Sequence, residues 1–180
     1  MSLVVKGRYI GGAIYEPKET SNGVKFNACV VLEDGEAAKV KAARDAAIKE
    51  KFGTKKPAGL QDWTVRQGDD EEYEHSYEQD FINPKAKGDK RIPILRKTNG
   101  EMEETDDVYP GCYVHLSIDV YAYPGDKAKD IKPGVSCGLR AVMFWKDGEA
   151  IGNRFDESEF AESESEDAES FGAAETSSLI

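Results

Sequence analysis

The sequence has few of the residues, and none of the common motifs, that carry catalytic or redox chemistry. It contains no glycine-rich loop of the GxxxxGK[ST] form, no HExxH and no CxxC, which argues against a nucleotide-hydrolysing loop and a zinc knuckle. Its two histidines, His75 and His115, stand apart. The three cysteines, Cys29, Cys112 and Cys137, are odd in number and widely spaced, so we expect reduced thiols in or near strands. We expect neither a metal nor an organic cofactor.

Long apolar runs are missing as well, and the sequence does not open with a charged-then-apolar leader. A membrane-spanning helix needs about 20 consecutive, mainly apolar residues. We therefore expect no membrane contact and a cytoplasmic location.

Basic residues are absent from Asp156 to Ile180. Of the 35 acids, nine lie in this segment, which leaves 26 acids and all 24 bases in the rest of the chain. The formal net charge of −11 therefore belongs mainly to the end of the sequence. A polyanionic segment cannot bury enough apolar surface to offset the entropy of ordering. We predict a domain over residues 1–152 and a flexible acidic tail over residues 153–180.

Periodicity predicts a mainly β domain with one inserted helix. Strands are predicted over residues 3–10, 24–33 and 62–67. The alanine-rich segment 36–52 has acids at its start, lysines near its end and Gly53 after it, which is typical of a helix. Asn99-Gly100 indicates a hairpin turn.

Two long strands are predicted near the end of the domain, and together the elements indicate a small β-barrel. In residues 112–123, one face carries Cys112, Val114, Leu116, Ile118, Val120 and Ala122, and the other Tyr113, His115, Ser117, Asp119, Tyr121 and Tyr123. In the second strand, within residues 134–152, one face carries Leu139, Ala141, Met143 and Trp145, and the other Arg140, Val142, Phe144 and Lys146. These faces assume strict alternation, which a β-bulge would break.

The three tyrosines on one strand face leave two interpretations open. They either cover a second layer, such as the helix or the partner of a homodimer, or they stack the bases of single-stranded nucleic acid. Stacking is worth about 1–3 kcal/mol per base and is available to every base. The acidic tail likewise either serves solubility or competes with nucleic acid for a basic groove at high effective concentration.

Two other functions remain as alternatives. The carboxylates between Asp69 and Asp80, with the pair Asp106 and Asp107, could hold a divalent cation, as in a metal-dependent nuclease. The chain could also be a polyanion-tailed protein-interaction adaptor that has no nucleic-acid groove.

Two segments and the tail resemble a phage-encoded family of single-stranded DNA-binding proteins. The segments are YPGCYVHLSIDVYAYPG (residues 109–125) and GVSCGLRAVMFWKDGEAIG (residues 134–152). The resemblance implies a five-stranded OB-fold barrel that binds single strands without sequence preference in phage DNA replication or recombination. It implies no enzymatic activity, a location in the host cytoplasm, and partner proteins recruited through the tail. The tail departs from the family pattern, since it thins out to GAAETSSLI.

These observations lead to a set of expected binding residues. Those expected to contact bases are Trp63, Tyr113, Tyr121, Tyr123 and Phe144, although Trp63 and Trp145 are each equally compatible with the core. Those expected to neutralise phosphates are Lys6, Arg8, Lys25, Lys90, Arg91, Arg140 and Lys146. The tail residues expected to compete with DNA and to recruit partners are Asp156, Glu157, Glu159, Glu162, Glu164, Glu166, Asp167 and Glu169.

Overall fold

The computed structural model of the protein describes residues 2–72 and 74–152, and residues 1–150 form one compact unit. The described strands are β1 (Ser2–Gly11), β2 (Lys18–Thr20), β3 (Gly23–Asn27), β4 (Cys29–Leu32), β5 (Gln61–Asp62), β6 (Arg66–Gln67), β7 (Asp80–Ile82), β8 (Lys85–Lys87), β9 (Ile94–Thr98), β10 (Glu101–Glu104), β11 (Tyr113–Tyr123) and β12 (Gly134–Lys146). The described helices are α1 (Glu36–Phe52) and a 3-10 helix (Lys127–Lys129). The predicted tail residues, from Asp156 to Glu169, lie outside the described residues.

Helix α1 has the predicted bounds, Glu36–Phe52. Gly35 precedes it at φ 83° and Gly53 ends it at φ 61°, both in the left-handed region that favours glycine. Its buried apolar residues are Val40, Ala43 and Ala47. These small side chains let the helix pack closely against β11 and β1.

All of the described strands belong to one curled sheet, and the predicted class, mainly β with one inserted helix, is confirmed. The main path of neighbouring strands runs β2-β3-β8-β12-β11-β1-β4-β7-β6. In addition, β5 and β9 pair with β12, and β10 pairs with β9. The strands outnumber the five predicted because the connection between α1 and β11 adds short strands to the sheet.

Two predicted strands are interrupted, and the predicted hairpin is confirmed. The strand over residues 24–33 splits at Ala28, whose N–H donates to the carbonyl of Pro84. The strand over residues 62–67 splits into β5 and β6. Asn99 and Gly100 join β9 to β10 at φ 51° and φ 84°, the positive angles that a tight hairpin turn requires.

The core contains the aliphatic face of β11, as predicted. Its fully buried members are Val114, Leu116, Ile118 and Val120, and it continues onto β1 through Val5 and onto β12 through Val135 and Val142. The three cysteines are free thiols, with Cys112 and Cys137 buried and Cys29 half-buried. Among the described residues, no helix is long and apolar enough to cross a membrane.

β12 has a β-bulge at two points, so its side chains do not alternate strictly between the two faces of the sheet. One of the two faces predicted for this strand is therefore wrong. Ser117 pairs with Ala141 and Ile118 with Leu139, so Arg140 is an extra residue. The bulge puts Val142 and Phe144 on the core face together with Leu139. Phe144 is only 8% exposed, so its predicted contact with bases is wrong.

Candidate nucleic-acid interface

The sheet has an outer face on the side opposite the core. β11 contributes Tyr113, His115, Ser117, Asp119 and Tyr121 to it, since these alternate with buried aliphatic residues. On the β1 side, the partners of the first four of these residues are, in order, Arg8, Lys6, Val4 and Ser2. On the β12 side, the partners of all five are, in order, Lys146, Met143, Ala141, Gly138 and Ser136. Rings and cations thus meet at one end of β11, and small side chains follow.

The first aromatic group, the Tyr113 cluster, consists of Tyr113, His115, Trp145, Lys6 and Lys146. The Trp145 ring meets Tyr113 edge-on at 6.3 Å and His115 at 5.1 Å between ring centroids. The Lys146 Nζ lies 4.2 Å from the Trp145 centroid, and the Lys6 Nζ lies 5.6 Å from it. Trp145 is the extra residue of the second bulge and is 39% exposed. The cluster therefore presents a partly exposed indole with two ammonium groups near its ring.

His115 is a member of this cluster whose surroundings disfavour its charged form. Its Nε2 is buried and has no hydrogen-bond partner in the part of the chain that the structure describes. Burial lowers the pKa of His115, and the nearby Lys6 ammonium lowers it further. Glu36 acts in the opposite direction. Although burial alone would raise the pKa of Glu36, hydrogen bonds from the Lys39 side chain and the Lys6 amide hold it below its usual value.

An apolar recess adjoins the Tyr113 cluster. It has a volume of about 250 Å³ and is lined by Val4, Leu95, Met102, His115, Ser117, Ala141, Val142 and Met143. Val4 and Met102 are each more than half exposed. Apolar and thioether groups at this position form a surface suited to the flat faces of bases and to sugar rings.

The second aromatic group, the Trp63 cluster, lies at the other end of β11 and consists of Trp63, Tyr121 and Tyr123. The Trp63 indole N–H donates a hydrogen bond to the Tyr123 hydroxyl, and the Tyr121 and Tyr123 centroids are 6.3 Å apart. Trp63 and Tyr121 are 46% and 45% exposed. The Arg66 guanidinium lies 5.9 Å from the Trp63 centroid. A Cβ on Gly134 would lie 2.4 Å from the Tyr123 hydroxyl oxygen, so glycine leaves room for that ring.

The loop that carries Trp63 is fixed on both sides. The Trp63 amide donates to the carbonyl of Val135 at 2.9 Å. Asp62 accepts hydrogen bonds from the Thr64 hydroxyl at 2.6 Å and from Arg44 of α1 at 2.9 Å. Burial alone would raise the pKa of Asp62, but these bonds hold it below its usual value. The backbone that carries the exposed indole is therefore preorganised.

The two aromatic clusters lie on one face and are joined by one strand. Tyr113 and Tyr121 are eight positions apart on β11, which corresponds to roughly 26 Å along an extended strand. That length fits several consecutive nucleotides, within the range of about 4–16 per OB fold.

A second, polar recess of about 350 Å³ lies beside Tyr113 and Arg8. Its carboxylates come from Glu33, Asp34 and Glu74. Because carboxylates repel phosphates, an anionic ligand at the Tyr113 cluster is directed away from this recess and toward Lys6 and Lys146.

The acidic stretch between Asp69 and Asp80 does not assemble into a metal centre in the described side chains. Within residues 2–72 and 74–152, no group of three or more histidine, cysteine, aspartate or glutamate side chains could hold an ion. The nuclease alternative gains no support from these residues.

The predicted phosphate contacts fall into three groups. Lys6 and Lys146 belong to the Tyr113 cluster. Arg8 instead donates to the carbonyls of Gly111 at 3.1 Å and Glu149 at 2.7 Å, so it ties β1 to two loops. The others lie farther along the sheet: Lys25 on β3, Arg140 in the β12 bulge, and Lys90 and Arg91 in the exposed loop between β8 and β9, two strands that both pair with β12.

A family model described as the ssDNA-binding protein of Enterobacter phage Enc34 matches residues 4–171. The chain belongs to this family. The resemblance read from residues 109–125 and 134–152 is therefore confirmed.

Relatives of the Enc34 family include one curated sequence and solved structures. Putative protein p50 of Acyrthosiphon pisum secondary endosymbiont phage 1 is 25% identical over 151 residues, 77% of this chain and 79% of that protein. The single-stranded DNA-binding protein from bacteriophage Enc34 in complex with ssDNA superposes with a TM-score of 0.65 at 18% identity, covering 84% of this chain and 89% of that one. The same Enc34 protein described without ssDNA gives a TM-score of 0.61 at 18% identity, with coverage of 87% and 88%. At this identity the superpositions establish that the fold is shared.

The sequence does not predict the positions of two residues of the site, even when the Enc34 family is known. Trp145 is compatible with either face until the second bulge is known, because the sequence carries no glycine or proline to mark it. Arg66 reaches Trp63 only because β6 pairs with β7 and turns its side chain toward the loop.

Proposed function

We propose that the protein binds single-stranded DNA without sequence preference, with the strand lying along β11 between the Tyr113 and Trp63 clusters. The main observation in support is that both tryptophans of the chain lie partly exposed on one face of the sheet, each with a cation beside its ring. Membership of the Enc34 family supports the same ligand.

In this mechanism bases stack on the rings of Trp145 and Tyr113 at one end and of Trp63 and Tyr121 at the other. Stacking of this kind is worth about 1–3 kcal/mol per base and accepts every base. Lys6 and Lys146 neutralise phosphates where the rings are densest.

The proposed role of Tyr123 is to orient the Trp63 side chain rather than to contact bases. Its hydroxyl accepts the indole N–H, which leaves the indole faces for bases. Because the rings are mounted on strands and on a hydrogen-bonded loop, little side-chain freedom is lost when DNA binds.

The wider role follows from the family and from the charge of the sequence. We propose that the protein protects single strands during phage DNA replication or recombination in the host cytoplasm, and that it works by binding alone, without catalysis or a cofactor. Residues 153–180 would compete with DNA for the cations of the outer face and, once displaced, recruit partner proteins. Arg140, Lys90 and Arg91 would contact phosphates beside β12.

The test uses the two tryptophans as separate reporters. In Trp63→Phe the remaining tryptophan is Trp145, and in Trp145→Phe it is Trp63, so tryptophan emission reports on one cluster at a time. Titration with oligo-dT of about 12 nucleotides, within the OB-fold range, should quench both variants with the same midpoint. Quenching of only one tryptophan would show that the strand does not span the two clusters. Binding without any quenching would place the site elsewhere, and absence of binding would favour the adaptor. Loss of plasmid DNA that depends on Mg²⁺ would support the nuclease.

A further inference from the structure

Four lysines lie together on the outer face of the sheet, beyond both aromatic clusters. Lys25, on the middle strand β3, is paired with Lys18 of β2 on one side and with Lys87 of β8 on the other. Lys85 shares the face of Lys87 because it lies two positions earlier on the same strand, and it is paired with Asn27. We call Lys18, Lys25, Lys85 and Lys87 the lysine ladder.

The ladder is not explained by the stability of the folded chain. Like charges directly opposite each other on neighbouring strands are destabilising. In the described ranges 2–72 and 74–152, no carboxylate forms an ion pair with any of the four ammonium groups. Glu19 follows Lys18 in the chain, but strand alternation turns it to the opposite face. An anion from outside the described chain would remove the repulsion.

The ladder is mounted on a rigid part of the sheet. On the opposite face of the same strands, Phe26 is 1% exposed and is paired with Ala86, which packs against the core. The Asn27 side chain accepts from the Ala13 amide at 3.0 Å and donates to Asn83 at 2.9 Å. The three paired lysines therefore stay in register across roughly 10 Å, the width of two strand spacings.

The ladder is continuous with the Trp63 cluster. Lys85 is the bridge partner of Gly138 on β12, and Gly138 lies on the outer face opposite Asp119. A Cβ on Gly138 would be 3.7 Å from the Tyr121 ring, so Tyr121 lies directly beside it. Because Gly138 has no side chain, nothing on that residue stands between the Tyr121 ring and the first lysine of the ladder.

We propose that the lysine ladder is a second phosphate-binding track, which takes up the DNA strand after it passes Tyr121. The inference rests on the proposed function, since it needs a single strand on the outer face. The ladder holds only ammonium groups, so it binds the backbone by charge and adds no stacking. Strands long enough to reach it gain affinity that depends strongly on salt, and strands confined to β11 gain none.

The test compares salt dependence at two strand lengths in the full-length protein. The ladder variant is Lys18→Gln, Lys25→Gln and Lys87→Gln. The matched control is Lys41→Gln, Lys49→Gln and Lys55→Gln, which removes the same charge from exposed positions on and just after α1. Oligo-dT of about 30 nucleotides exceeds the largest OB-fold site, and oligo-dT of about 6 stays near the smallest. Thermal unfolding verifies that both variants remain folded.

For the long strand, the slope of log K against log salt should become shallower by about 2 in the ladder variant, at 0.7 per phosphate contact. It should be unchanged for the short strand, and the control should match the wild type at both lengths. An unchanged slope for the long strand in a protein that still binds it would overturn the ladder and leave the proposed function intact. Equal losses at both lengths would also overturn it, since the lysines would then belong to the β11 path. Failure of the wild type to bind either strand would instead refute the proposed function.

Discussion

Lys146 lies directly opposite Tyr113 across the β11–β12 pair, and its Nζ is 4.8 Å from the centre of the Tyr113 ring. The two residues are paired only because Trp145 is an extra residue in β12. The bulge therefore does two things: it turns the indole toward solvent, and it places a cation over two rings. Rings and cations arranged in this way can receive a base and its phosphate at the same point.

Replacing Trp145 and replacing its chain neighbour Phe144 should have opposite consequences. Trp145→Ala removes a stacking surface, so we expect a loss of about 1–3 kcal/mol in oligo-dT binding with little change in stability. Phe144→Ala leaves a cavity in the core and should lower the free energy of unfolding by about 3–5 kcal/mol. Urea denaturation and fluorescence titration separate the two effects. Unfolding of Trp145→Ala would contradict the assigned faces.

Lys6 and Arg8 lie two positions apart on the same face of β1, but their side chains have different roles. Arg8→Ala removes two hydrogen bonds to backbone carbonyls, so we expect about 1.5–3 kcal/mol lower stability and an unchanged salt slope of DNA binding. Lys6→Ala should leave the stability within about 0.5 kcal/mol and make the salt slope shallower by about 0.7. If Arg8→Ala instead kept its stability and made the salt slope shallower, Arg8 would contact a phosphate, as the sequence predicts.

The half-buried position of His115 should appear in the pH dependence of stability. Its pKa in the folded protein lies below the unfolded value of about 6.5. As the pH falls below that value, the unfolded chain binds a proton that the folded protein resists, so the free energy of unfolding decreases until the folded-state pKa is passed. The steepest slope for one proton is about 1.4 kcal/mol per pH unit. His115→Gln should remove this contribution when both proteins are unfolded with urea between about pH 5 and 8. Parallel pH profiles would show that His115 titrates normally.

The three cysteines should be unreactive in the native protein. Burial raises the pKa of Cys29 to about 11 and that of Cys137 to about 12, and it raises the pKa of Cys112 as well. Since the thiolate is the reactive form, we expect slow reaction with an aromatic disulfide reagent at neutral pH and fast reaction of all three thiols in urea. Rapid modification of one thiol in the native state would show that its strand opens locally.

Much of the fold follows from local sequence patterns. The helix over residues 36–52 has its predicted bounds because alanine content, charge order and Gly53 all act within a few residues. The aliphatic and aromatic faces of β11 follow from alternation that no bulge in that strand interrupts, and the Asn99-Gly100 turn follows from its need for positive φ. The unbroken alternation of a single strand was therefore enough to place Tyr113 and Tyr121 on the outer face.

What the sequence determined by itself was local: which segments form the helix and the long strands, where the acids are concentrated, and which side of β11 is aliphatic. The tertiary structure alone decided how β12 is registered against β11, which buried Phe144, exposed Trp145 and brought Lys146 to Tyr113. It also decided that Lys18, Lys25 and Lys87 share one row. Bulges and pairings of this kind depend on hydrogen bonds between segments far apart in the chain, and neither residue of such a pair carries a local signal of its partner.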